Sequence, residues 1–268
     1  MKTIKKTSIV IFLLIYLKLI VTFDDDTAIQ IPFSTSESIF GVITIGWFKL
    51  LSTIALILII RFAFKLKPSF KSQRWNNLLK YGWPALLLAL SNCTIYSDKA
   101  VWHVLLHEYS LINVILLILL GTTSAFIVGF FEEVVFRAGI MGVIINNTQR
   151  FPILLGVGVS SLLFGLVHAL NYANQPFWDT TNQIISAIGI GSLFAAIYYL
   201  TQNLWIPIIL HAIIDASSYI FNLHSNLIGG SGDSGLDLAS FLVFIIFTVY
   251  SYYVLYQNQP NNNHKLLF

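Results

Sequence analysis

The stretch LINVILLILLGTTSAFIVGFFEEVVFRAGIMGVII, residues Leu111–Ile145, holds three ionisable side chains: Glu132, Glu133 and Arg137. Everything else in it is apolar, small or neutral. Roughly 20 consecutive apolar residues cross a bilayer, so this segment spans a membrane and decides the fold class. Charge at bilayer depth is costly and characteristically functional. The three groups therefore mark a site as well as a span.

The whole chain agrees with that reading. Its 268 residues are 56% hydrophobic and only 10% charged, with a mean hydropathy of +0.77. Soluble domains carry about 25% charged residues, so an all-α integral membrane protein is expected. Candidate spans fall at about 8–23, 40–61, 80–97, 111–133, 152–170, 184–201, 204–222 and 238–256, a bundle of about eight transmembrane helices. Three parts follow: an N-terminal membrane region over 1–110, a core over 111–222, and an outer loop, final span and tail over 223–268. The net charge of +3 is too small and too dispersed for a nucleic-acid partner. Cys93 is the single cysteine, which excludes an intrachain disulfide and a thiolate metal cluster.

Lys2, Lys5 and Lys6 precede the first apolar run without a small-x-small cleavage site, as in an uncleaved signal anchor. Arg61, Lys65, Lys67, Lys71, Arg74 and Lys80 cluster between the second and third spans. Positive loops stay cytoplasmic, which places both termini inside and the acidic Asp24-Asp25-Asp26 run in an outer loop. The 66–80 segment reads as lying on the membrane surface, and Lys49 as a snorkelling residue. The richness in Ile, Asn and Lys points to an AT-rich bacterial genome and thus a bacterial cell membrane.

Three clusters repeat a four-residue interval, the spacing that puts two side chains on one helix face. They are Glu132-Glu133-Val-Val-Phe-Arg137, Phe164-Gly-Leu-Val-His168 and His211-Ala-Ile-Ile-Asp215. Glu133 and Arg137 form an acid-before-base pair, leaving Glu132, about 100° around the helix, without a basic partner. Asp215, one turn from His211, is placed to orient that imidazole. Glu132 lies 16 residues before a turn near Thr148 and His168 lies 20 after it, so both sit roughly 24–30 Å from the turn. His211 follows the 201–204 turn by about 8 residues, a depth of only roughly 12 Å. The two levels agree only if the 146–150 hairpin projects or the helices tilt or break. His103-x-x-x-His107-Glu108 lacks the order of a zinc-protease helix and reads as a solvated turn.

These clusters resemble the motif set of the CPBP family of intramembrane proteases, which includes type II CAAX prenyl endopeptidases and bacteriocin-processing or immunity proteins. The resemblance covers about residues 115–220. It implies an intramembrane endopeptidase in which Glu132 and His168 activate a water while His211 and Asp215 stabilise the oxyanion. Glu133, Arg137 and Phe164 then support the site. Asp215 stands where the family often has Asn; if ionised, it would hold His211 as an imidazolium donor. The resemblance also leaves open a divalent metal such as zinc, with Glu132, His168 and His211 as candidate ligands. The implied partners are a peptide or membrane-protein substrate and the lipid bilayer. The alternative is a non-proteolytic immunity or scaffold protein that binds a membrane partner.

Overall fold

A computed structural model describes residues 2–27, 29–34, 39–70, 75–92, 99, 103, 106, 107, 110–228 and 235–258. Cys93, Lys71, Arg74, Glu108 and the glycine-rich 229–234 stretch lie outside these residues.

The described elements run α1 (Lys2–Thr27), β1 (Ile29–Ser34), β2 (Ile39–Ile45), α2 (Trp47–Phe62), α3 (Asn76–Asn92) and α4 (Leu111–Glu133). The last continues through a π-helical segment (Val134–Met141) into α5 (Gly142–Asn147). Then come α6 (Pro152–Val167), a 3-10 turn (His168–Ala173), α7 (Phe177–Thr201), α8 (Trp205–Ile228) and α9 (Leu238–Gln257). Helices stand at all eight expected positions, and the chain is an all-α membrane protein. Among the described residues, five helical runs are long and apolar enough to cross a bilayer by length and composition. At 16 and 17 residues, α2 and α3 fall short of the roughly 20 a crossing needs.

Three expectations need correction. The span placed at 40–61 starts as a strand: Ile39–Ile45 pairs antiparallel with Ile29–Ser34, Ile29 opposite Ile45. Its Ile, Val and Thr content favours an extended chain, and the helix begins only at Trp47. The acidic run at 24–26 is not a loop but the last turn of α1. Asp24 is buried there and bonds Lys49 twice, by the Nζ at 3.1 Å and by the backbone N–H at 2.9 Å. Lys49 is thus ion-paired rather than snorkelling. The described part of the 66–80 segment also packs against the protein. Leu66 and Ser69 are buried, Ser69 N–H donates to Tyr198 Oη at 3.1 Å, and Leu204 N–H donates to Ser69 O at 2.9 Å.

Helices in lipid have little hydrophobic drive to associate, so close approach depends on small residues. Such a contact joins α7 to α9 at Gly189. A Cβ there would stand 2.6 Å from Phe244 Cα and 2.7 Å from Val243 O, both backbone atoms that cannot turn aside. Gly189→Ala should force the two helices apart and destabilise the fold by about 1–3 kcal/mol. Thermal unfolding in detergent micelles reads that shift.

Candidate active site

Successive residues on a helix point about 100° apart, so Glu132 and Glu133 at the end of α4 cannot share an environment. Glu133 turns inward and is fully buried, as is Arg137 in the π-helical segment. Arg137 Nε donates to Glu133 Oε2 at 2.8 Å and Nη2 donates to Oε1 at 3.2 Å, the two-point geometry in which guanidinium and carboxylate bind best. The guanidinium carbon lies 4.7 Å from the centre of the Phe164 ring. Ser160 of α6 accepts from Arg137 Nη1 at 3.5 Å and donates to Phe136 O at 3.0 Å, tying the widened helix to its neighbour. π-Helical segments are rare and recur at functional sites.

The same Glu133 carboxylate reaches a third helix. Its Oε1 lies 3.1 Å from Nδ1 of His211 on α8. A carboxylate bonded in two places by Arg137 only accepts, so Nδ1 carries the proton. The opposite nitrogen, Nε2, faces Asp215 Oδ2 at 3.3 Å and Glu132 Oε2 at 3.7 Å. An imidazolium, with two N–H donors, meets the carboxylates on both sides. The close approach of α4 and α8 has its own requirement: a Cβ on Gly129 would sit 3.2 Å from His211 Cβ and Cγ.

His168 arrives from the end of α6. Its Nδ1 lies 2.9 Å from Phe164 O, a carbonyl that can only accept. Nδ1 therefore carries the hydrogen and Nε2 keeps its lone pair. The Phe164 ring stands edge-on to His168 at 5.3 Å and to His211 at 5.8 Å, keeping the two imidazoles on either side of one aromatic wall.

Glu132, His168, His211 and Asp215 line a single cavity of about 410 Å³. The expected conflict of depths resolves through the two turns. The α5–α6 end projects, with Asn146, Gln149, Arg150 and Phe151 exposed. The α7–α8 turn is recessed beneath the 63–70 segment, with Thr201, Asn203 and Leu204 fully buried. His211 Nε2 nevertheless stands 3.7 Å from Glu132 Oε2, so the two groups share one level.

Sequence reasoning left out six contributors: Gly129, the Glu133–His211 bond, and on the cavity wall Leu17 and Val21 of α1 with the amides Asn171 and Gln183. Asn171 Nδ2 donates to Gln183 Oε1 at 2.8 Å. Gly129 carried a readable signal, a small residue one turn before Glu133 on the same face. The others are tertiary contacts with no spacing rule to announce them.

Both nitrogens of His211 face carboxylates, and no group of three His, Cys, Asp or Glu among the described residues is placed to hold a metal ion. His103 and His107 stack their rings at 5.9 Å.

Residues 112–217 match the family model described as type II CAAX prenyl endopeptidase Rce1-like. The core is similar to that family. The match spans α4 to α8, less than half of the chain, and takes in every motif residue from Glu132 to Asp215. Rce1-like proteins are a protease family, in agreement with the CPBP-type resemblance of the sequence. The apolar helices, together with this match, make the chain an integral membrane protein. No curated protein and no solved structure matches it.

Removing one partner of a fully buried ion pair leaves the other uncompensated and costs about 3–5 kcal/mol. Glu133→Ala strands Arg137 and also frees His211 Nδ1. The variant should unfold at markedly lower temperature in detergent and fail to accumulate at wild-type levels in membranes.

Proposed function

We propose that the chain is an intramembrane endopeptidase that hydrolyses a peptide bond in or near the bilayer with Glu132 as general base. The observation that carries this reading is the convergence of Glu132, His168, His211 and Asp215 on one cavity. A water held between Glu132 and His168 gives its proton to the Glu132 carboxylate as its oxygen attacks the scissile carbonyl carbon. The carbonyl becomes an oxyanion, and His211 presents its Nε2–H to it. Glu133 on Nδ1 fixes that ring, while Asp215 stabilises its positive charge. Collapse of the tetrahedral adduct breaks the C–N bond, and the proton passes from Glu132 to the leaving amine. His168 contributes through Nε2, because its other nitrogen is committed to Phe164 O. In this reading the carboxylates and imidazoles suffice, with no metal step.

A CAAX-type tail is the substrate class that the Rce1-like match favours. The basic residues at the N-terminus and around 61–80 favour cytoplasmic termini. Purified protein in detergent or liposomes, offered a farnesylated CAAX-tailed peptide and an unprenylated transmembrane peptide, tests the reading by mass spectrometry of the products. Glu132→Gln should lower the rate about 10²- to 10⁴-fold with little change in unfolding temperature. EDTA and 1,10-phenanthroline should leave the wild-type rate unchanged. Full activity, or a full cellular phenotype, in Glu132→Ala would instead point to a non-proteolytic partner-binding protein.

A further inference from the structure

The 63–70 segment that leaves α2 has two faces. Toward the protein, Leu66 and Ser69 are buried, Ser69 N–H donates to Tyr198 Oη at 3.1 Å, and Phe70 makes a backbone bridge to Asn203 of the α7–α8 turn. Away from it, Lys65 and Lys67 are exposed, as is Arg61 at the end of α2. Lys65 has a φ of 58°, a left-handed backbone that glycine or asparagine would adopt at lower cost. Beyond that turn Leu66 goes inward, between two lysines that stay outside. Sequence supplies no carboxylate to answer these charges. Residues 39–97 hold seven Lys or Arg and no Asp or Glu, and 134–178 and 180–214, which supply the neighbouring turns, hold no acid either. Asp24 near the end of α1 bonds Lys49 near the start of α2, so the two helices run antiparallel and Lys2, Lys5 and Lys6 belong to this same end.

We infer that the outer face of this segment, built on Arg61, Lys65 and Lys67, is a docking surface for the headgroups of anionic phospholipids in the leaflet it meets. The inference is independent of the chemistry at Glu132. Depth and side-chain type together select a lipid over a soluble acidic partner. α2 has 16 residues, roughly 24 Å of helix against a hydrocarbon layer of about 30 Å, so the segment after it is held at headgroup level rather than clear of the membrane. Trp75 and Trp83, exposed at either end of the first turns of α3, are the side chains of a membrane–water interface. Clustered Lys and Arg beside a membrane helix attract anionic headgroups, and the attraction grows with each charge. The bonds on the inner face fix the backbone of the segment, so its cations are arrayed before a lipid arrives.

The test uses the full chain, stripped of lipid in a nonionic detergent and titrated with phosphatidylglycerol or phosphatidylcholine, with native mass spectrometry reading the dissociation constants. Wild-type protein should bind phosphatidylglycerol about tenfold or more tightly than phosphatidylcholine. The triple variant Arg61→Gln, Lys65→Gln, Lys67→Gln should lose most of that preference. Its counterpart Lys2→Gln, Lys5→Gln, Lys6→Gln removes as many charges from the same end and should keep the preference within about threefold. If the first variant fails to fold, acetylation of lysines in the wild-type protein locates the contact without any substitution: phosphatidylglycerol should protect Lys65 and Lys67 about fivefold more than Lys2, Lys5 and Lys6. Equal affinity of the wild type for the two lipids overturns the docking surface and leaves the basic residues only to orient the chain in the membrane. Equal loss in both triple variants, or equal protection of all these lysines, overturns it as well, because the attraction then belongs to the diffuse charge of that whole end.

Discussion

One carboxylate holds the membrane core together. Glu133 binds the Arg137 guanidinium with both oxygens and, through Oε1, the His211 ring 78 positions further along the chain. Buried charge is tolerated only when paired and hydrogen-bonded. Meeting that demand fixes the rotation of α4, the register of α8 against it and the orientation of an imidazole. Glu132 then has no choice of direction: with its neighbour locked inward, it faces the cavity. Ser160 and Phe164 of α6 close around the same guanidinium, so a third helix is positioned by the same group.

Much of this was legible because helical periodicity carries it. Glu133–Arg137, Phe164–His168 and His211–Asp215 are all four apart, and each pair interacts within its own helix as that spacing requires. The split between Glu133, paired with Arg137, and Glu132, turned to the cavity, also follows from 100° per residue. The bond between Glu133 and His211 could not be read that way, because nothing local links positions on α4 and α8. Depth was misjudged for a related reason. Counting residues from a turn assumes that both turns lie at one level, whereas one projects and the other is buried under the 63–70 segment. The strand at Ile39–Ile45 was absorbed into a helical span because apolarity alone does not separate a short strand from the start of a helix.

The Rce1-like match and the cavity divide the chain differently. The match begins in α4 and ends in α8, yet Leu17 and Val21 of α1 form part of the cavity wall. The polar side chains come from the matched core, while some of the apolar enclosure comes from the N-terminal helix. Shielding the site from water strengthens every electrostatic contact within it. Among the described residues, the N-terminal region thus contributes apolar wall, Leu17 and Val21, to the site's dielectric.

The ion pairs also bear on how the protein is made. Glu133 and Arg137 belong to one continuous helix, and His211 and Asp215 to another. Each helix carries a counter-charge of its own, Arg137 for Glu133 and His211 for Asp215, which lowers the cost of entering the bilayer before it has found a neighbour. Integration into lipid need not wait for assembly of the bundle. The contacts of His211 with Glu133 and Glu132, which join the two helices, have to wait, and their formation marks the passage from inserted helices to a finished site.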